Sequence, residues 1–105
     1  MKIIIHTPGF KASEKLTDFV TDHVEKLSLN SDRIIEAQVV LKKTKSATDA
    51  DKLCELRIEI PGNDIFASRQ GDTFEDTVME TIQAARTQLK KWKDSMNPQK
   101  MRLDQ

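Results

Sequence analysis

Ile34-Ile35-Glu36-Ala37-Gln38-Val39-Val40-Leu41-Lys42-Lys43 is the stretch on which the fold turns. Ile35, Ala37, Val39 and Leu41 alternate with Glu36, Gln38, Val40 and Lys42, the period of a strand with one wet face. The strand is expected from Arg33 to Lys43. Before it the period changes. Leu16, Phe19, Val20, Val24 and Leu27 recur at helical spacing, with Ser13 placed to cap the first turn. This helix is expected to run to about Leu29 and to stop at the turn Asn30-Ser31-Asp32. Further back, Lys2 to His6 is β-branched and closed by Thr7-Pro8-Gly9, which makes it a strand. Its nearly unbroken apolar run predicts a place inside the sheet.

Downstream, the polar run Thr44 to Asp51 reads as a mobile hairpin loop. Cys54, Leu56, Ile58 and Ile60 then face a core while Glu55, Arg57 and Glu59 face out. Pro61-Gly62-Asn63-Asp64 signals a tight turn, and Ile65 to Arg69 a brief fourth strand. Asp72 or Thr73 caps the last element, in which Phe74, Val78, Ile82, Ala85, Leu89 and Trp92 step at helical spacing. That helix is expected to end near Asn97-Pro98. The order β-α-β-β-β-α defines an α+β class. Its four-stranded mixed sheet carries both helices on one face, an arrangement resembling the double-stranded-RNA-binding fold. A single domain is expected over residues 1–97, with 98–105 as a flexible tail.

The chain has 105 residues, enough for one core. No stretch reaches the roughly 18 consecutive apolar residues of a membrane span. The apolar run at the N-terminus is too short for a secretory signal. One cysteine, Cys54, leaves no internal disulfide to form, which suits a reducing cytoplasm. Little here suggests catalysis. His6, His23 and Cys54 are scattered over separate elements, and Cys54 on a core-facing strand position behaves as a small apolar residue. No cluster has zinc-ligand spacing, and the glycines Gly9, Gly62 and Gly71 stand singly rather than in a phosphate-cradling loop. Neither metal nor cofactor is expected, and an enzyme is the least favoured class.

What remains is basic clustering. Arg86, Lys90 and Lys93 are spaced i, i+4, i+7 on the last helix, flanked by Lys91 and followed by Lys100 and Arg102. Lys42, Lys43 and Lys45 stand where the second strand enters its loop, and Lys26 belongs to helix one. Two readings of these residues stay open. Basic side chains in the last turns of a helix complement its dipole and need do nothing more. Alternatively, a groove between the helices lined with cations tracks a phosphate backbone. Seventeen Lys+Arg balance seventeen Asp+Glu, so net charge favours neither. The outer sheet face, with Glu36, Gln38, Glu55, Arg57 and Glu59, offers no aromatic pair for base stacking.

Asp64-Ile65-Phe66-Ala67-Ser68, followed by Gln88-Leu89-Lys90-Lys91-Trp92-Lys93, resembles the hibernation-promoting factors and ribosome-associated inhibitors. That family has an "ASA"-type fourth strand and then a helix ending in a pattern close to RQL(R/K)K(H/Y)K. Leu16, Asp18, Phe19, Val20, Lys26, Leu27 and Ile34 also fall where the family places similar residues, so the likeness runs from Met1 to about Lys93. The resemblance implies a non-catalytic protein of the cytoplasm. It would bind the small ribosomal subunit and its rRNA in the channel used by messenger and transfer RNA, block initiation and preserve idle ribosomes under stress or in stationary phase. It implies phosphate-facing roles for Lys90, Lys91 and Lys93, and for Lys26. Thr87 replaces the family's arginine before Gln-Leu, with Arg86 adjacent, and His23 stands where a lysine or arginine is common. The chain looks like the short form of the family. Two other readings compete: a stand-alone module for structured RNA, and a protein-interaction modulator of a transcription factor.

Overall fold

The structure, a computed structural model, describes residues 1–29, 31–45 and 50–95. Strand β1 (Lys2–His6) leads through Pro8-Gly9 to helix α1 (Glu14–Glu25). Ser13 caps α1: its Oγ accepts from the Leu16 N–H at 3.1 Å. The last turn tightens into a 3₁₀ segment, Lys26–Leu29. Strands β2 (Glu36–Lys43), β3 (Lys52–Ile60) and β4 (Asn63–Gly71) follow, then helix α2 (Phe74–Ser95). The sheet order is β1-β2-β3-β4, with β1 parallel to β2 and the rest antiparallel. The α+β class with two helices over a mixed sheet is the one the alternation of periods implies.

Three details depart from expectation. The isoleucine run suggests an interior strand, but β1 lies at an edge, paired with β2 alone. The meander β2-β3-β4 occupies the other side of β2, so a strand entering by the parallel crossover keeps one neighbour. Its apolar content serves both faces instead. Ile3 and Ile5 pack on the core, while Ile4 sits across from Gln38 on the outer face. Second, Ile35 is 52% exposed, and its neighbour Ile34, at 6%, joins the core. The regular alternation begins only at Glu36, one residue after Ile35 has bonded to Glu59 and Lys2 through its backbone. Third, β4 is as long as β3, because the turn needs only Pro61 and Gly62 and places Asn63 opposite Ile60. Gly62 has φ +82°, the glycine position of a type II turn with proline before it.

Core residues come from one face of β2 to β4 and the facing helix stripes. Ala37, Val39, Leu41, Cys54, Leu56 and Ile58 meet Val20, Val24, Leu27, Val78, Ile82, Ala85 and Leu89, all nearly inaccessible to solvent. Trp92 closes the stripe half-buried. Thr77 and Thr81 are also fully buried, a feature that an apolar stripe does not reveal. Each hydroxyl donates to the carbonyl four residues back, Thr77 to Thr73 at 2.6 Å and Thr81 to Thr77 at 2.7 Å. Thr73 caps α2, its Oγ1 accepting from the Asp76 N–H at 3.2 Å.

That pinned Thr77 hydroxyl sets a limit at the β4–α2 junction. A Cβ on Gly71 would lie 2.7 Å from Thr77 Oγ1. Gly71→Ala should therefore cost about 1–3 kcal/mol, as overpacking does, seen as a lower urea midpoint at unchanged m-value. A midpoint equal to the native one would show that the junction yields.

Pairing also fixes direction. Lys43 pairs with Lys52 and Lys52 with Gly71, so the β2–β3 connection and the start of α2 share one end of the sheet. Helix α1 begins there too, after His6 opposite Val40. Both helices run away from that end and finish together at the other.

Candidate nucleic-acid interface

Along α2 the charge is sorted. Glu75, Asp76 and Glu80 occupy its first turns, and Arg86, Lys90, Lys91 and Lys93 its last three, against Asp94. Both ends complement the helix dipole, which explains part of the arrangement. With about 100° between successive residues, Arg86, Lys90 and Lys93 fall on one flank of the buried stripe and Lys91 on the other. Lys93 faces the end of α1, since it shares a groove with Leu29 and Arg33. Lys91 lies on the flank toward β4, the flank on which Gln88 reaches the Phe66 carbonyl at 2.8 Å. Lys90, Lys91 and Lys93 are exposed and Arg86 half-buried, where it donates to Gln83 Oε1 at 3.1 Å.

Lys26 opens the 3₁₀ turn at this same end, beside Asp22 and Glu25 in a shallow groove. Arg33 joins the group, exposed just past the turn in which its N–H is bonded by Ser31 Oγ at 3.1 Å. Sequence reading missed Arg33. The available signal is the parallel run of the two helices, which carries the end of α1 to the end of α2.

The second lysine group is elsewhere. Lys42, Lys43 and Lys45 stand at the end where α2 begins, the length of a 22-residue helix away, about 33 Å. Neighbours in a strand point to opposite faces, so the group is also divided. Lys42 lies on the outer face, 3.6 Å from Glu55. Lys43 lies on the helix side, with Nζ 5.4 Å from the centre of the Phe10 ring. Phe10 stacks on Phe74 at 5.1 Å, and Lys52 stands 6.0 Å from the Phe74 ring. Two lysines that pair directly across the strands thus each lie against one ring of the stack. Lys52 is also bonded to Asp51, and that bond holds the Asp51 carboxyl below its ordinary range. Lys45 is exposed at the mouth of the connection; the centre of the loop, like Lys100, Arg102 and the tail at 98–105, lies outside the described residues.

The outer face of the sheet has a different character. Glu36, Glu59 and Asp64 stand in one cross-strand row with Lys2, and Glu55 lies in another. Phe66 is exposed there at 48%, a lone aromatic rather than a pair.

Titratable chemistry is sparse. Among the described residues no three of His, Cys, Asp and Glu are placed to hold a metal, and no helix is long and apolar enough to cross a membrane. His23 packs against the Phe19 ring at 4.3 Å. Cys54 is buried, and burial pushes its thiol up to about 11 from 9.0, outweighing the hydrogen bond with Thr81. Because the buried thiol is the weaker acid, deprotonation favours the unfolded chain. Stability from this group is fully present below pH 9, falls as pH rises, and is lost above about 11. Denaturant unfolding should show an alkaline loss on the order of 2–3 kcal/mol that Cys54→Ala lacks. An identical loss in the variant would assign it to other groups.

Fold and charge layout together define a small α+β domain with parallel helices over one face of a mixed sheet, with cations in excess where the helices end and a mixed, slightly acidic open face. The family model "Sigma 54 modulation protein / S30EA ribosomal protein" matches residues 3–97, and the chain belongs to that family. Among solved structures it is similar to a ribosomal subunit interface protein from Coxiella burnetii, with TM-score 0.78, 22% identity, and 89% of this chain and 98% of that one covered. It is also similar to the N-terminal domain of Protein Y from Thermus thermophilus, with TM-score 0.74, 17% identity, and 88% and 99% covered. These likenesses show the fold. No curated protein sequence is significantly similar to the chain.

Proposed function

We propose that this protein is a non-catalytic ribosome-binding factor of the cytoplasm. In this reading residues 1–97 form the binding domain and 98–105 a flexible tail. The domain occupies the messenger and transfer RNA channel of the small subunit, inhibits translation and preserves idle ribosomes. Family membership supports the ribosome as partner, and one structural neighbour is a ribosomal subunit interface protein. The observation that carries the RNA contact is the segregation of charge. On the helix side of the end where the helices finish, Arg33, Arg86, Lys90, Lys91 and Lys93 outnumber Asp32 and Asp94, while on the sheet's open face Glu36, Glu55, Glu59 and Asp64 outnumber Lys2, Lys42 and Arg57. A neutral molecule can then lie against a polyanion with the helix side of that end, while Glu36, Glu59 and Asp64, at the same end but on the opposite face of the sheet, point away. Lys26 adds a cation beside two acids, and Lys42, Lys43 and Lys45 would meet a separate stretch of RNA.

Co-sedimentation with purified small and large subunits across a salt series tests this. Four phosphate contacts give a slope of roughly −3 to −3.6 in log affinity against log salt, a loss of about 60- to 150-fold for a fourfold rise in salt. Binding that prefers the large subunit, or that ignores salt, contradicts the reading.

A further inference from the structure

Between the end of α1 and the last turn of α2 lies an open groove of about 490 Å³, lined by Ser28, Leu29, Ser31, Asp32, Arg33, Trp92 and Lys93. Its size is within the roughly 300–1,000 Å³ of small-ligand sites. The half-buried indole of Trp92 forms part of the wall, and two cations, a carboxylate and two hydroxyls stand around it. Packing alone accounts for Trp92 covering the core, but not for the polar set that converges beside its uncovered part.

We infer that this groove receives one unpaired base of the bound RNA, stacked on Trp92 with Arg33 and Lys93 on its flanking phosphates. The inference rests on the ribosome reading above and names a single contact within it. An indole presents a π-face to any base, and Arg33 and Lys93 supply charge on the phosphate side. Asp32 accepts hydrogen bonds only, so the base it suits best bears an exocyclic amino group. The site is therefore one for guanine, adenine or cytosine ahead of uracil. The backbone at Arg33 is held because its N–H donates to Ser31 Oγ, and Ser31 is only 8% exposed; the Arg33 side chain extends from there into solvent.

Trp92 is the one tryptophan in the chain, so its emission reports on the groove directly. Single-stranded hexaadenylate RNA should quench it saturably, hexauridylate more weakly, and inorganic phosphate not at all. An emission unmoved at millimolar hexaadenylate, or moved equally by phosphate, overturns the inference. In co-sedimentation with the small subunit, Trp92→Ala should weaken binding by roughly 5- to 100-fold, the range of one lost stack, with Trp92→Phe retaining most of the affinity. Native protein that sediments while a folded Trp92→Ala variant does so equally well overturns the groove and leaves the ribosome reading standing. Native protein that does not sediment at all overturns both.

Discussion

Reversing charge at the end of α2, with Lys90, Lys91 and Lys93 all changed to Glu, should abolish ribosome binding while the fold survives. All three side chains are exposed, and none contributes to the buried stripe. A hydrogen bond to a charged group is worth about 1.5 kcal/mol at the low end, so losing three lowers affinity roughly a thousandfold before repulsion is added. The salt slope should flatten by about 2 to 3. Carboxylates near the negative end of a helix dipole cost a few tenths of a kcal/mol each, so the melting temperature should move by only a few degrees. Co-sedimentation equal to that of the native chain would remove these residues from the interface. Because Lys91 lies on the other flank, Lys90→Glu with Lys93→Glu should account for most of the loss if the α1-facing flank leads. Lys91→Glu alone should do so if the β4-facing flank leads.

The second large effect is on stability. Leu56 lies in β3 between β2 and β4, 1% exposed, opposite Val39 and Ala67 and beneath the helices. Leu56→Ala removes buried methyl groups from a site whose neighbours are fixed by strand pairing on both sides. The cost should be about 2–5 kcal/mol, against a total of roughly 5–15 kcal/mol for a domain of this size. Thermal melting should fall by about 10–30 °C. Ribosome binding per folded molecule should not change, because Leu56 faces the core and the exposed cations are not in its layer. A midpoint within a few degrees of the native one would mean that the core collapses around the cavity.

The fold was legible because its periods are clean. Alternation at Ala37, Val39 and Leu41 and helical spacing from Phe74 to Trp92 admit few assignments, and the order of elements then leaves one economical topology. Local signals gave out where tertiary position decides. An isoleucine run does not say whether a strand has one neighbour or two, so β1 was expected inside and lies at the edge. Thr77 and Thr81 read as polar, but their hydroxyls return to the helix backbone and can be buried at little cost. The cations of α2 were legible from spacing. Their division between two flanks, the isolation of Lys42 and Lys43 at the opposite end, and the arrival of Arg33 beside Trp92 follow from how strands and helices are directed in space.

A density map of the protein bound to the small ribosomal subunit tests the central proposition most directly. The account predicts that the helix side of the end where α1 and α2 finish faces rRNA, with Lys90 and Lys93 near phosphates and Glu36, Glu59 and Asp64, on the opposite face of the sheet, turned to solvent. Docking through the open sheet face, with the helices pointing away from the RNA, would contradict it.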